Sequence, residues 1–387
     1  MNSVPLGLLV APVESWNPIV NGRDESIRYI DIAAVDNTSK RIVASQRLLG
    51  RQAPSRARQL VNASDVLVST VRPNLNAVAT VESDLDGATA STGFCVLRAR
   101  PAKLNHRYLF QWVKSAGFVA EMVQRATGAS YPAVSDRIIL DAKIPLPSLP
   151  EQRRIADILD RAETLRAQRR QALAQLDALA EAIFLDMFGD PVVNPRGWPR
   201  KKIGDIARVV TGNTPSRVNA QYFGDGIDWV KSNNLNTPRY YATAAEEHLS
   251  EAGKSVARVA PAGSTLVTCI AGSPACIGNA AMLDREVAFN QQINAFIPLG
   301  GDPHFWYAQL VVGKRLVQAA STDGMKGMVS KSRFETIELI VPPAPLQREF
   351  SDRRAALQRL QKAHEDALIA ADTLFASLQH RAFRGEL

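Results

Sequence analysis

EQRRIADILDRAETLRAQRRQALAQLDALAEAIFLDMF, residues 151–188, is the stretch on which the fold turns. Ile155, Ile158, Leu159, Ala162, Leu165, Ala172, Leu173, Leu176, Leu179, Ile183, Met187 and Phe188 fall mainly on heptad positions a, d and e, the pattern of an amphipathic helix. Pro150 stands just before it, and Gly189 with Pro191 stops it. The stretch returns later in the chain at an offset of 195. Val134 and Ser135 recur as Val329 and Ser330, Pro147 as Pro342, Gln152 as Gln347, Asp157 as Asp352, Leu165 as Leu360, Asp177 as Asp372, Leu179 as Leu374 and Phe188 as Phe383. The second copy carries Phe350, Leu357, Leu360, Ala367, Leu368, Ala371, Leu374, Phe375 and Leu378 in the same frame. Two helical rods of roughly 50–57 Å are expected, at about 1.5 Å per residue, pairing with each other as a spacer and offering their other faces to partner helices. Arg169 and His364 occupy equivalent a positions, which are poor choices for a deep core.

A repeat of about half the chain is too long for a solenoid unit. It reads as a duplicated module, which docks as a pseudo-dimer about an approximate two-fold axis. The segments flanking the rods read as mixed α/β. DVLVSTV, FCVLRA, STLVTCI and NAFIPL have strand patterns, and helical stretches lie near 106–125 and 303–320. These segments resemble each other more faintly: Gly7 and Pro18 match Gly204 and Pro215, and Ile27-Arg28-Tyr29-Ile30 faces Ile227-Asp228-Trp229-Val230 at an offset of 200. The fold class is α+β, in the order globule (1–149), rod (150–189), globule (190–345), rod (346–387).

The 387 residues carry a net charge of +8, concentrated in the globules. Residues 1–150 hold 17 Lys+Arg against 12 Asp+Glu, and residues 189–345 hold 16 against 13. The rods are nearly balanced, with 6 against 7 in 151–188 and 7 against 6 in 346–387. Basic globules suggest a polyanionic partner. No run of about 18 apolar residues suggests a membrane span, and MNSVPLGLLVAPVESW lacks the basic start of a signal peptide, so no membrane partner and a cytoplasmic location are expected.

Catalytic machinery is not evident. No GxxxxGK[ST] loop occurs, GMKGM around Met325 being a different pattern, and no HExxH occurs. Histidines 106, 248, 304, 364 and 380 are scattered, and VPPAP at 341–345 lacks the Asn and aromatic residue of amino-group methyltransferases. Cys95, Cys269 and Cys276 have no zinc spacing, and Cys269 and Cys276 read as buried structural residues. Neither a catalytic residue, a bound cofactor nor a metal is expected in this chain.

The loops offer other chemistry. Arg72-Pro73-Asn74-Leu75-Asn76 follows a strand. Thr211-Gly212-Asn213-Thr214-Pro215-Ser216-Arg217 is a polar turn. Lys231-Ser232-Asn233-Asn234 follows Trp229, Asn290-Gln291-Gln292 precedes a strand, and Gly324-Met325-Lys326-Gly327 is a basic loop. Arg and Lys donate to guanine N7 and O6, and Asn and Gln pair with adenine N6 and N7. Arg72, Asn74, Asn76, Thr214, Ser216, Arg217, Lys231, Ser232, Asn233, Asn234, Asn290, Gln291, Gln292 and Lys326 are therefore DNA-contact candidates. The Asn, Gly, Pro and Ser of these loops are also ordinary turn formers.

IPLPSLPEQRRIADILDRAETL (144–165), MFGDPVVNPRGWP (187–199) and LQHRAFRGEL (378–387), with the paired loops TGASYPAVSD and GMKGMVSKSRF, closely resemble the specificity subunit of type I DNA restriction–modification enzymes across essentially the whole chain. The first globule departs in having Ser15-Trp16-Asn17-Pro18 where the second has Gly212-Asn213-Thr214-Pro215. The resemblance implies two target recognition domains held apart by two antiparallel coiled-coil helices. It adds Ser130 and Tyr131 to the DNA-contact candidates. It implies double-stranded DNA with a bipartite asymmetric site as target, and two modification subunits, with two restriction subunits as further partners. S-adenosylmethionine, and ATP with Mg2+, would belong to those partners. The competing expectations are a self-contained restriction–modification enzyme, disfavoured by the missing motifs, and a structural coiled-coil adaptor, disfavoured by the polar loops.

Overall fold

The computed structural model describes residues 2–128, 130–236, 240–322 and 327–387. The chain divides into two compact units, residues 1–170 with 366–387, and residues 171–365. The first long helix runs Leu149–Phe188 and the second Ala344–Arg384, starting one and two residues earlier than the sequence pattern suggests. Each is shared between the units. The reason lies in packing: each end of a rod buries its apolar residues against a globule, so rod and globule do not separate into independent bodies.

In the first unit one four-stranded sheet has the order Gln46–Leu49, Ser26–Ile30, Thr89–Ser91, Ala57–Leu60, its middle two strands parallel. A second, antiparallel sheet has the order Val10–Ala11, Phe94–Ala99, Val66–Ser69, Val78–Thr80. The run Val66-Leu67-Val68 is apolar throughout because both faces of its sheet are covered. Val66 and Val68 join the core that includes the long helices, while Leu67 points into the core under the first sheet.

The second unit repeats this topology. His248–Leu249, Phe223–Val230, Val287–Phe289 and Val259–Ala260 form one sheet, again with a parallel middle pair. Ala207–Thr211, Ile293–Pro298, Thr265–Thr268 and Ala280–Met282 form the other. Tyr29 opposite Thr89 in the first unit corresponds to Trp229 opposite Ala288 in the second. The faint similarity of 27–30 to 227–230 is thus a shared strand.

The expected helical stretches each split in two. His106–Val113 ends before Ser115, whose hydroxyl caps Ala116–Arg125, and Pro303–Val312 breaks at Gly313 before Lys314–Ala319. Asn105 and Asp302 cap the first members, accepting from the backbone N–H groups of residues two and three positions on. One turn into each rod, a buried glutamine ties that cap to the rod. Gln152 Oε1 accepts from Asn105 N at 2.8 Å, and its Nε2 donates to the carbonyls of Lys103 and Pro147. Gln347 Oε1 accepts from Asp302 N at 3.1 Å, and its Nε2 donates to Pro342.

Within the first unit, Ile155, Ala156, Leu159 and Ala162 share a core with Tyr108, Trp112, Phe375 and Ala382. Arg166 pairs with Asp372 and stacks on Phe375 at 4.4 Å. Within the second, Phe184, Phe188, Phe305 and Phe350 form an aromatic cluster with ring centroids 4.9–5.8 Å apart, and Gln361 donates to Asp177. Arg166 opposite Asp372 and Gln361 opposite Asp177 are one contact made twice, each residue replaced by its copy 195 positions away. Tyr108 against Phe383 and Phe305 against Phe188 form a second such pair, at offsets of 197 for the globule residue and 195 for the rod residue. In each unit rising numbers on one rod meet falling numbers on the other, so the segments run antiparallel.

The apolar seam is shorter than the heptad pattern suggests. Leu165 and Leu374 in the first unit are 56% and 55% exposed, and Leu360 and Leu179 in the second are 52% and 46% exposed. At this level polar pairs such as Arg166–Asp372 hold the rods together, and these leucines stay outside.

Candidate nucleic-acid interface

In the second unit the polar turn is built on Gly212. A Cβ there would lie 2.3 Å from the Asn290 carbonyl oxygen, so only glycine lets the turn press onto the Asn290–Gln292 loop. Gly212 N donates to Ile293 O and Asn213 N to Phe289 O, both at 3.1 Å. Thr214 then reaches Gln291, to whose Oε1 its hydroxyl donates. Below them Gln292 Oε1 accepts from Ser232 Oγ at 3.0 Å and Asn290 Nδ2 at 2.9 Å. Three segments distant in sequence therefore converge on one polar surface.

The candidates in this cluster divide by exposure. Thr214, Ser216, Arg217, Asn233 and Gln291 are exposed; Lys231, Ser232 and Gln292 are half-buried. Asn290 and Asn234 are buried. Asn234 is spent on scaffolding, its Oδ1 accepting from Lys231 N and its Nδ2 donating to Thr243 and Ala244 at 3.0 Å. Asn234 and Asn290, both DNA-contact candidates, are buried, and their amides shape loops whose outer residues are presented. Lys326 lies outside the described residues.

Lys231 and Arg217 both engage Glu247, a residue the sequence pattern does not single out, and both lie over the Trp229 ring, at 4.9 and 5.5 Å. Hydrogen bonding from Lys231, and then from Arg217, holds the Glu247 carboxyl below its ordinary range. The two cations are pre-positioned and partly neutralised. Nothing local in AAEEHLS marks Glu247 for this role, because the contact crosses from one strand to the next.

In the first unit the candidates sit on different loops. Arg72 and Asn76 both take left-handed backbone conformations, with φ of 50° and 46°, bracketing the Pro73–Leu75 turn. Such geometry is uncommon for residues with a Cβ and is held by Arg72 N donating to Pro132 O at 2.7 Å and by the bridge between Val71 and Ala133. It sets the Arg72 guanidinium 4.7 Å over the ring of Tyr131, which is largely exposed. Asn74 and Ser130 are exposed nearby in sequence, while Asn76 is half-buried, its carbonyl accepting from Lys40 Nζ at 2.6 Å. The strand positions equivalent to the Asn-Gln-Gln loop carry Ser91-Thr92-Gly93, where Ser91 Oγ accepts from Gly93 N. Trp16 of the divergent Ser-Trp-Asn-Pro segment donates to Thr89 Oγ1 at 3.1 Å. The two units thus present different chemistry on one topology.

Among the described residues no cluster of His, Cys, Asp and Glu could hold a metal, and no helix is long and apolar enough to cross a membrane. Cys95 and Cys269 are buried, and burial pushes the Cys269 thiol up to about 12; Cys276 is half-buried, which corrects its expected burial.

Comparison with known proteins agrees with this architecture. Residues 58–176 and 195–369 match the type I restriction modification DNA specificity domain. The specificity subunit of the type I restriction enzyme HindI from Haemophilus influenzae is 23% identical over 369 residues, covering 75% of this chain and 79% of the relative. A chain from a type I R-M system solved to explain complex assembly and conformational transition is 25% identical with a TM-score of 0.61, covering 100% of this chain and 98% of that one. The type I restriction-modification S subunit from M. genitalium, 11% identical with a TM-score of 0.57 over 99% and 96% of the two chains, has the same fold. The first matched stretch takes in the first globule from residue 58 onward and the second nearly all of the second globule, each with more than half of a long helix, and the chain belongs to the type I restriction–modification DNA specificity family.

Proposed function

We propose that this chain is the sequence-reading, non-catalytic subunit of a type I complex, each unit reading one half of a bipartite, asymmetric double-stranded DNA site. The observation that carries this reading is the pairing of one duplicated topology with two unlike loop surfaces: Arg72 on Tyr131 in the first unit, Thr214 with Gln291 above Ser232 and Gln292 in the second. Phosphate contacts would set register and the exposed Arg, Asn and Gln side chains would read base edges. Asn234, Asn290 and Gln292 support these groups.

Two modification subunits are the natural partners. Leu165 and Leu374 in the first unit recur as Leu360 and Leu179 in the second, and all four are exposed, which suits two identical helical partners. Those subunits would supply S-adenosylmethionine-dependent adenine methylation, flipping the base from the stack. Restriction subunits, where present, would bring ATP and Mg2+. A chromosomal DNA target fits a cytoplasmic location.

The test is methyl transfer from labelled S-adenosylmethionine to DNA by the chain alone, by the modification subunit alone and by both. Activity is expected only from the mixture, with methylated adenines at one bipartite sequence genome-wide. Robust transfer by the chain alone would favour a self-contained enzyme, and a mixture that neither binds nor methylates DNA would favour a structural adaptor. In the Gln291→Ala variant the second half-site should lose about 1–3 kcal/mol of discrimination while the first is kept.

A further inference from the structure

Where the loops of the two units diverge, one short run does not. Ser55-Arg56-Ala57-Arg58 recurs 200 residues later as Ser255-Val256-Ala257-Arg258, the offset of the shared strand. Ala57 packs with Ile27 and Tyr29 in the first unit, and Ala257 against Ile227 and Trp229 in the second, so the two alanines hold one structural position. Core packing accounts for the alanine but not for the arginine after it. Arg58 is half-buried and Arg258 is exposed. In the first unit Ala90 faces Gln59 while Ser91 faces Ala57, a bulge that leaves Arg58 outside the strand pairing.

Both arginines border the candidate surface. Arg258 N donates to Asn213 Oδ1 at 2.8 Å, and its Nη1 donates to Thr211 O at 3.0 Å, so it flanks the polar turn. In the first unit Trp16, which holds the place of Asn213, donates from its N to Arg58 O at 2.8 Å. Thr92, in the place of Gln291, donates from its N to Arg56 O at 2.8 Å. Gly93 O accepts from Thr70 N at 2.9 Å and carries this surface on toward Arg72 and Tyr131. The neighbours change between the units and the arginine stays. Among the described residues neither guanidinium has a carboxylate partner. Each spends one N–H on a main-chain carbonyl, Arg58 Nη1 donating to Ala57 O at 2.9 Å, which steadies the side chain without neutralising it. Arg217 and Lys231, held by Glu247, are in the opposite condition.

We propose, resting on the reading of both units as DNA-recognition domains, that Arg58 and Arg258 are one phosphate anchor made twice. Each guanidinium holds a backbone phosphodiester beside its half-site, and neither reads a base. Groups that read base edges must differ where the half-sites differ, as Thr92 and Gln291 do. A group that meets the backbone finds the same anion at both half-sites and can be the same in both units. The planar guanidinium fork, with donors left over after its main-chain bond, suits a phosphate.

The full chain, assembled with its modification subunit, is titrated with a non-cognate duplex across a salt series, as the parent and as Arg58→Gln, Arg258→Gln and the double variant. The slope of log affinity against log salt should shrink by about 0.9 in each single variant and by about 1.8 in the double. The methylated sequence mapped in cells should be the same in all of them. Arg208→Gln removes the same charge elsewhere: Arg208 is exposed at the far end of the strand that leads into the polar turn, and Ala11 holds its place in the first unit. Its slope should equal the parent's. An unchanged slope in either single variant, an equal loss in Arg208→Gln, or an altered half-site sequence would overturn the anchor while leaving the recognition reading in place. A parent complex that binds no DNA would overturn that reading and the anchor with it.

Discussion

At the scale of single residues, the second unit's surface is governed by one carboxylate. Glu247 holds both Lys231 and Arg217, so two cations that could each neutralise a phosphate are partly compensated before DNA arrives. Glu247→Gln should tighten sequence-independent binding and steepen its salt dependence, by up to roughly 0.9 log unit per log salt for each released cation that engages a phosphate. Fluorescence anisotropy on non-cognate duplexes across a salt series measures this; an unchanged slope would mean that the cations already contact DNA in the parent chain. A different residue pair governs acid stability. Burial lowers the pKa of His106 and His304, which sit in the first turns of equivalent helices. A histidine whose folded pKa lies below its unfolded value binds fewer protons when folded, so the unfolded state gains as pH falls through about 6.5 toward the depressed values. The stability contributed by these residues should be intact at pH 7 and decline toward pH 5. The urea midpoint of a His106→Gln, His304→Gln chain should decline less over that interval, and an identical decline would assign the effect to the carboxylates.

At the scale of elements, the rods are less coiled coil than docking strip. Their ends carry the buried apolar residues, Ile155 and Leu159 in one unit and Phe184 and Phe188 in the other, while Leu165, Leu374, Leu360 and Leu179 remain uncovered. Leu165→Glu with Leu374→Glu should leave the thermal midpoint within a few degrees, since exposed positions contribute little to folding, yet halve the number of modification subunits bound. Light scattering of the assembled complex reads the stoichiometry; retention of both partners would place their docking elsewhere. This division shows what the sequence could carry. The existence of both rods, their ends to within a few residues and the duplication were legible, because 3.6-residue periodicity, flanking proline and glycine and the 195-residue offset are local signals. Which heptad leucines stay outside was not, because it depends on Arg166 meeting Asp372 across more than 200 positions. The candidate surface follows the same rule. The Asn, Gln and Thr runs were visible as polar loops, but the burial of Asn234 and Asn290, the clamp of Glu247 and the left-handed turn of Arg72 arise from contacts between segments.

At the scale of the whole molecule, one set of contacts between the rods is written twice into the chain, once within each unit. Arg166 meets Asp372, and the copy of each, Gln361 and Asp177, meets in the other unit. Gln152 and Gln347 likewise latch each rod to its own globule by the same hydrogen bonds. Nothing in these shared contacts distinguishes the first globule from the second, so asymmetry of the target must come from the loops alone. A chain in which residues 190–343 are replaced by a copy of residues 1–148 should therefore fold and assemble. The rods keep their pairing, and each latch glutamine finds its cap, Asn105 serving in both places. The two identical globules should read the sequence of the first half-site at both positions. Adenine methylation mapped genome-wide in cells carrying this chain and its modification subunit should then fall on sites built from two copies of that half-site. Methylation retained at the original asymmetric sequence would show that the second globule's loops do not specify its half.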